Sequence, residues 1–160
     1  MKIGLYIGNF NPVHKEHIKV VQKILKEYVD KVLIVPTLSY WDKKILTDIN
    51  HRINMLKLYE TRNIIIDTKT NKCKFTYQVL KNTKNEYQDS IIYLIIGDDL
   101  IEDFDKWKKI DEILSNYNII VVKRKNIDKS FYRKYKNYNL TIINKISNNE
   151  ITSTMVRNMI

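Results

Sequence analysis

A chain of 160 residues with formal net charge +10, 44% hydrophobic and 29% charged, can bury the core of one domain, and a single domain over 1–160 is expected. No signal-peptide pattern opens it and no stretch reaches membrane-span length, so a cytoplasmic protein without a membrane partner is expected. The charge suits anionic ligands, but with no alanine and abundant Lys, Ile and Asn it reads as a general compositional lean, and nucleic acid is not an expected partner.

The first apolar run, Lys2–Ile7, reads as a buried strand. Gly8, Asn9, Phe10, Asn11 and Pro12 follow as a turn, and a helix is expected over His14–Tyr28 with Ile18, Val21, Leu25 and Tyr28 as its apolar stripe. His14 and His17 are three residues apart, which places them about 60° apart on one face of the first turn. A helix N-terminus presents open N–H groups and the positive end of its dipole, which favour a phosphate. Two imidazoles add donors that can follow charge onto phosphate oxygens. Both histidines also lie near the side of Ile18 and Val21, so core histidines with ordinary partners are an alternative. With no cysteine or third histidine nearby and His51 isolated, no protein metal site is expected.

Lys31–Val35 is the second strand, followed by a loop, Tyr40-Trp41-Asp42-Lys43-Lys44, whose lysines either reach a triphosphate or are solvated. A helix over Asp48–Thr61, capped by Thr47 or Asp48, carries Ile49, Ile53, Leu56 and Tyr59 on one side. Asn63–Ile66 is a third strand and Phe75–Lys84 a helix; between them lies the single cysteine, Cys73, which excludes a disulfide framework. The most apolar strand, Ile91–Ile96, ends in Gly97-Asp98-Asp99. A carboxylate there holds ribose hydroxyls, helps place a metal ion, or caps the helix-like Leu100–Phe104. Trp107 either stacks on a planar ring or belongs to the core.

A helix over Ile110–Ser115 and a strand over Asn118–Val122 precede a basic, aromatic run from Lys123 through Tyr138. Its rings can stack bases, but an amphipathic helix with a solvated basic face explains them as simply. After a last strand, Leu140–Ile143, the segment Thr152-Ser153-Thr154 reads as a helix start. Its hydroxyls cap the helix or meet phosphate oxygens, and Arg157 supplies a charged fork one turn later. Wholly apolar strands alternating with helices indicate an α/β fold: a Rossmann-like, doubly wound parallel sheet of about five to six strands with helices on both faces. Ligands of such sheets sit beyond the carboxyl ends of the strands, near a topological switch point.

The opening strand–turn–helix resembles the first signature of the nucleotidyltransferases, with glycine, Phe10, Asn11, Pro12 and the His14-x-x-His17 pair in register. Thr152 through Arg157 is similar to that superfamily's second signature. The middle of the chain narrows the resemblance to the bacterial nicotinate-nucleotide adenylyltransferases, through Thr76–Leu80, Ile95–Asp99, Phe104, Trp107 and Val121–Arg124. The resemblance implies AMP transfer from ATP to nicotinate mononucleotide, giving deamido-NAD and pyrophosphate in NAD biosynthesis, with Mg²⁺ carried mainly by the ATP phosphates. It implies catalytic roles for His14, His17 and Arg157, and ATP contacts from Gly8, Asn9, Phe10, Lys43, Ser153 and Thr154. It assigns the nicotinate nucleotide to Thr76, Asp99, Trp107 and Arg124, with Trp107 stacking on the pyridine ring.

Two features depart from that pattern. Glu16 stands where the family has glycine, and a carboxylate there repels phosphates unless it turns outward or meets a lysine. Relatives continue with further helical structure where this sequence ends, at Ile160. Alternatives are an adenylyltransferase for nicotinamide mononucleotide or phosphopantetheine, or a non-catalytic nucleotide-binding module; oligomeric state stays open.

Overall fold

The computed structural model describes residues 1–8, 10, 15–36, 49–69, 73, 75–97, 104–123, 133–135 and 137–144. Six strands form one sheet: β1 (Lys2–Gly8), β2 (Lys31–Pro36), β3 (Ile64–Ile66), β4 (Ile91–Gly97), β5 (Asn118–Lys123) and β6 (Leu140–Asn144). The helices are α1 (Lys15–Glu27), α2 (Ile49–Lys57), α3 (Thr76–Glu86) and α4 (Ile110–Asn116). Each strand lies within a residue or so of its predicted bounds, and each helix overlaps its predicted segment; α2 ends at Lys57 rather than Thr61. Residues 37–48, with Thr47, Asp48 and the Tyr40–Lys44 loop, lie outside the described residues, as do 98–103, where the Leu100 segment was expected.

The strand order is β3-β2-β1-β4-β5-β6, and every pairing is parallel. Two halves wind outward from the β1–β4 pair, so the topological switch point lies between those two strands. Their register sets Leu5 opposite Leu94 and Tyr6 opposite Ile95. Gly8 and Gly97 therefore end adjacent strands, on the side where the chain departs toward the candidate site.

Alternation along the strands divides the core into two layers. Tyr6, Val32, Ile34, Ile95, Ile120 and Val122 face α1 and α2, where Val21, Ile24 and Leu56 are fully buried. Ile3, Leu5, Leu33, Leu94, Ile96 and Val121 face the other way, against Val79 and Leu80 of α3, Ile113 of α4, and Phe104. A parallel sheet buried on both faces needs apolar residues at consecutive positions, which is why these strands show no polar alternation. Each fully buried Leu or Ile contributes about 1.5–3 kcal/mol relative to exposure.

The buried face of α1 comprises His17, Ile18, Val20, Val21 and Ile24; Leu25 and Tyr28 lie at its half-buried margin, so the apolar stripe is centred nearer the helix start than predicted. At the far end, Lys2 N–H donates to Asp30 Oδ2 (2.8 Å) and Asp30 N–H to the Lys2 carbonyl (2.9 Å). This clasp ties the start of β1 to the turn that follows α1. No helix among the described residues is long and apolar enough to cross a membrane.

Candidate active site

β1 ends in Gly8, and two residues later Phe10 adopts φ 47°, in the left-handed region that a residue with a Cβ seldom occupies. That turn folds the Phe10 ring back over the strand end, where a Cβ on Gly8 would come within 3.3 Å of two ring carbons. Glycine at position 8 therefore makes room for the ring. Strained backbone of this kind recurs where a fold must hold reacting groups.

His17, in the first turn of α1, is 8% exposed. Its imidazole meets the Phe10 ring edge-on, with centroids 5.1 Å apart and planes at 79°. Tyr6 completes the set, 5.2 Å from Phe10 and 6.4 Å from His17, both nearly perpendicular. Edge-to-face contacts fix ring orientation. Two rings, Tyr6 from β1 and Phe10 from the turn, thus set the direction of the α1 imidazole beside a helix start and a strand end. His17 is a buried aromatic partner and at the same time a group held next to the switch point. The two readings of the sequence are not exclusive.

Glu16 does meet a lysine. Its carboxylate is 3.6 Å from Lys19 Nζ, and its side chain is 13% exposed against 48% for the lysine. The pair, at i and i+3, compensates on the helix the negative charge that replaces the family's glycine.

On the opposite face, α3 begins at Thr76, and the Phe75 N–H donates to Gln78 Oε1 at 3.2 Å. Thr76 is half-buried. Trp107 follows a short 3₁₀ turn, Phe104–Lys106, and packs edge-on against the fully buried Phe104 ring with centroids 4.9 Å apart. One edge of Trp107 therefore belongs to the core while part of the ring remains exposed. Phe104 is in turn 5.7 Å from Tyr135. Lys134, exposed, bonds Asp105 at 3.2 Å and holds the aspartate's carboxyl below its ordinary value, while its own ammonium is raised by that bond. Within 133–135, then, a buried ring and exposed cations occupy one helical turn, as an amphipathic segment requires.

Of the residues assigned from sequence, Gly8, Phe10 and His17 converge at the end of β1, and Thr76 and Trp107 lie on the other face. His14, Asn9, Lys43, Asp99, Arg124, Ser153, Thr154 and Arg157 lie outside the described residues. Two features were not singled out from sequence. Arg52 of α2 is 2% exposed and engaged in contacts within the fold; its place between Ile49 and Leu56 on the apolar side was the available signal. Lys108 and Lys109 extend over the rings of Phe75 and Tyr77, each at 4.7 Å from the centroid. Among the described residues no group of three His, Cys, Asp or Glu gathers as a metal site would require.

A histidine fixed at a helix start, at the switch point of a doubly wound parallel sheet, defines a nucleotide-handling α/β protein. Comparison with known proteins agrees. A relative in Lactococcus lactis, named "Probable nicotinate-nucleotide adenylyltransferase", is 34% identical over 82% of this chain and 72% of its own length. One of the same name in Borrelia garinii is 33% identical over 100% of this chain and 83% of its own. The Plasmodium falciparum nicotinic acid mononucleotide adenylyltransferase, solved in complex with NaAD, superimposes with a TM-score of 0.81 at 24% identity, covering 98% of this chain and 82% of that one. The chain belongs to the cytidylyltransferase-like family, whose model matches residues 5–159, and within it to the nicotinate-nucleotide adenylyltransferases.

Proposed function

We propose that this protein transfers AMP from ATP to nicotinate mononucleotide, giving deamido-NAD and pyrophosphate, a step of NAD biosynthesis. The observation that carries the proposal is the placement of His17: buried, oriented by Tyr6 and Phe10, and held at the first turn of α1 beside the β1–β4 switch point. A phosphate oxygen of the nicotinate nucleotide attacks the α-phosphorus of ATP in line. The bond from that phosphorus to the bridging oxygen breaks, and pyrophosphate leaves with the electron pair. No covalent intermediate on the protein is needed, so the protein's work is positioning and stabilising charge.

His17 donates to phosphate oxygens as charge moves toward the leaving group, and the resemblance gives His14 the same work. By the same resemblance Arg157, Ser153, Thr154 and Lys43 hold the β- and γ-phosphates. Gly8, Asn9 and Phe10 line the ATP side, while Thr76, Asp99, Trp107 and Arg124 receive the nicotinate nucleotide. The imidazole of His17 is a hydrogen-bond donor suited to phosphate oxygens, while the Glu16 carboxylate, the kind of group a divalent cation prefers, is paired with Lys19. Mg²⁺ therefore enters with ATP, where it neutralises phosphate charge. A cytoplasmic setting fits a chain whose one cysteine is unpaired.

The test is pyrophosphate release with ATP and Mg²⁺, offering nicotinate mononucleotide, nicotinamide mononucleotide and phosphopantetheine in turn. Release that is fastest with the nicotinate nucleotide is expected. Folded protein that binds ATP and releases none with any acceptor would overturn the proposal.

A further inference from the structure

We infer that Tyr135 is a positioning residue of the acceptor site, which fixes the orientation of Trp107 by bracing the buried Phe104 ring. The inference deepens the proposed function and rests on its assignment of Trp107 to the nicotinate nucleotide. Trp107 follows a 3₁₀ turn of three residues, Phe104–Lys106, and its N–H donates to the Phe104 carbonyl at 3.2 Å. Hydrogen-bond geometry in so short a turn is poor and does not hold a side chain in place by itself. Packing does that here. The Trp107 ring meets Phe104 edge-on at 4.9 Å, and Phe104, fully buried, meets Tyr135 at 5.7 Å with planes at 67°.

Tyr135 is itself anchored. It is 5% exposed, its carbonyl accepts from the Tyr138 N–H at 3.1 Å, and the Asn139 carbonyl accepts from the Ile119 N–H at 3.0 Å, where β6 joins β5. A packed path therefore runs from the sheet through Tyr135 and Phe104 to Trp107. A second tie runs beside it, since Lys134 Nζ bonds Asp105 at 3.2 Å, so that residues 104 and 105 meet residues 135 and 134. That ion pair is about half exposed on both sides, and such pairs contribute little. An edge-to-face ring contact in the core fixes orientation as well as distance. The ring contact, rather than the ion pair, is the brace. A stacking ring whose angle is set before the acceptor arrives has less freedom to lose on binding, so loosening it weakens acceptor binding. The ATP side, with Gly8 and Phe10, lies on the other face and takes no part.

The experiment measures kcat and both KM values in the parent protein and in Tyr135→Met, Tyr135→Phe, Lys134→Gln and Leu56→Ala. Methionine keeps apolar volume and removes the ring. It should raise KM for nicotinate mononucleotide about fivefold, with kcat and KM for ATP within about twofold of the parent. Tyr135→Phe keeps the ring and should match the parent. Lys134→Gln should change the acceptor KM less than about twofold. Leu56→Ala, in the opposite core layer, controls for lost stability: it should melt lower and leave the acceptor KM unchanged. If the methionine variant does not fold, Tyr135→Leu takes its place. With a parent that uses the nicotinate nucleotide, an acceptor KM that stays parental in the ring-less variant, or rises as much in any of the other three, would overturn the brace and leave the proposed function standing. A parent with no turnover on the nicotinate nucleotide would overturn both.

Discussion

Replacing His17 by alanine separates its two roles, because packing and charge stabilisation predict effects on different observables. The packing loss follows from the geometry. The imidazole meets Phe10 at 5.1 Å and Tyr6 at 6.4 Å, both edge-on. Such aromatic contacts are worth about 0.5–1.5 kcal/mol each, so about 1–3 kcal/mol of stability is lost. For a chain of this length that is a fall in melting temperature of roughly 2–12 °C, and the variant stays folded at room temperature. The catalytic loss is separate. Removing a donor aimed at developing charge costs at least about a hundredfold in kcat, or about 2.7 kcal/mol at 1.36 kcal/mol per decade. The assay pairs steady-state pyrophosphate release with a thermal melt at the same pH. A His17→Ala protein that melts a few degrees lower but keeps kcat within threefold of the parent would show that His17 is a core residue only. A rise in KM for ATP with kcat unchanged would mean that it binds substrate and transition state equally.

Three further outcomes follow from the same geometry. Gly8→Ala places a Cβ 3.3 Å from two carbons of the Phe10 ring, which must shift by a few tenths of an ångström, so about 1 kcal/mol of overpacking should lower the melting temperature and cut kcat/KM about tenfold; parental activity would show that the Phe10 contact does not set the site. Lys19→Ala leaves Glu16 uncompensated, and KM for ATP should rise roughly two- to fivefold, an effect that Glu16→Gln in the same protein should remove. The Asp105–Lys134 pair sets a pH window. Asp105 has its pKa lowered from 3.8, so its contribution is present above that value and lost as pH falls through the lower folded one; Lys134 is raised from 10.5, so its contribution is present below 10.5 and lost as pH rises through the higher folded one. The melting-temperature difference between parent and Asp105→Asn should therefore be flat between about pH 5 and 9 and close at both extremes; a difference that varies across neutral pH would contradict it.

The sheet was legible because each strand is buried on both faces and so carries a continuous apolar run that polar turns interrupt. Helix ends were less legible. α2 stops at Lys57, where the chain turns through Leu58 and Tyr59 by i→i−3 bonds to Met55 and Leu56, and residue spacing alone does not separate such a turn from helix. His17 was visible as a candidate because its position depends on local features: a strand, a turn and a helix start. Lys108 and Lys109 were not, because what distinguishes them from surface lysines is contact with Phe75 and Tyr77, set by how α3 packs beside the Trp107 turn. Arg52 was hidden for a related reason, since a buried guanidinium looks like an exposed one until the tertiary structure covers it. Glu16 posed the opposite problem. Its charge was evident in the sequence, and the answer lay three residues away in Lys19.

The central claim is that the AMP moiety of ATP, rather than its terminal phosphate, is passed to the nicotinate nucleotide at the β1–β4 switch point. The most direct measurement follows the label from α-³²P-ATP and γ-³²P-ATP in parallel reactions with nicotinate mononucleotide and Mg²⁺. The account predicts that α-label appears in the dinucleotide and γ-label in pyrophosphate. Label from the γ position in the acceptor product, or α-label recovered only as ADP, would contradict it.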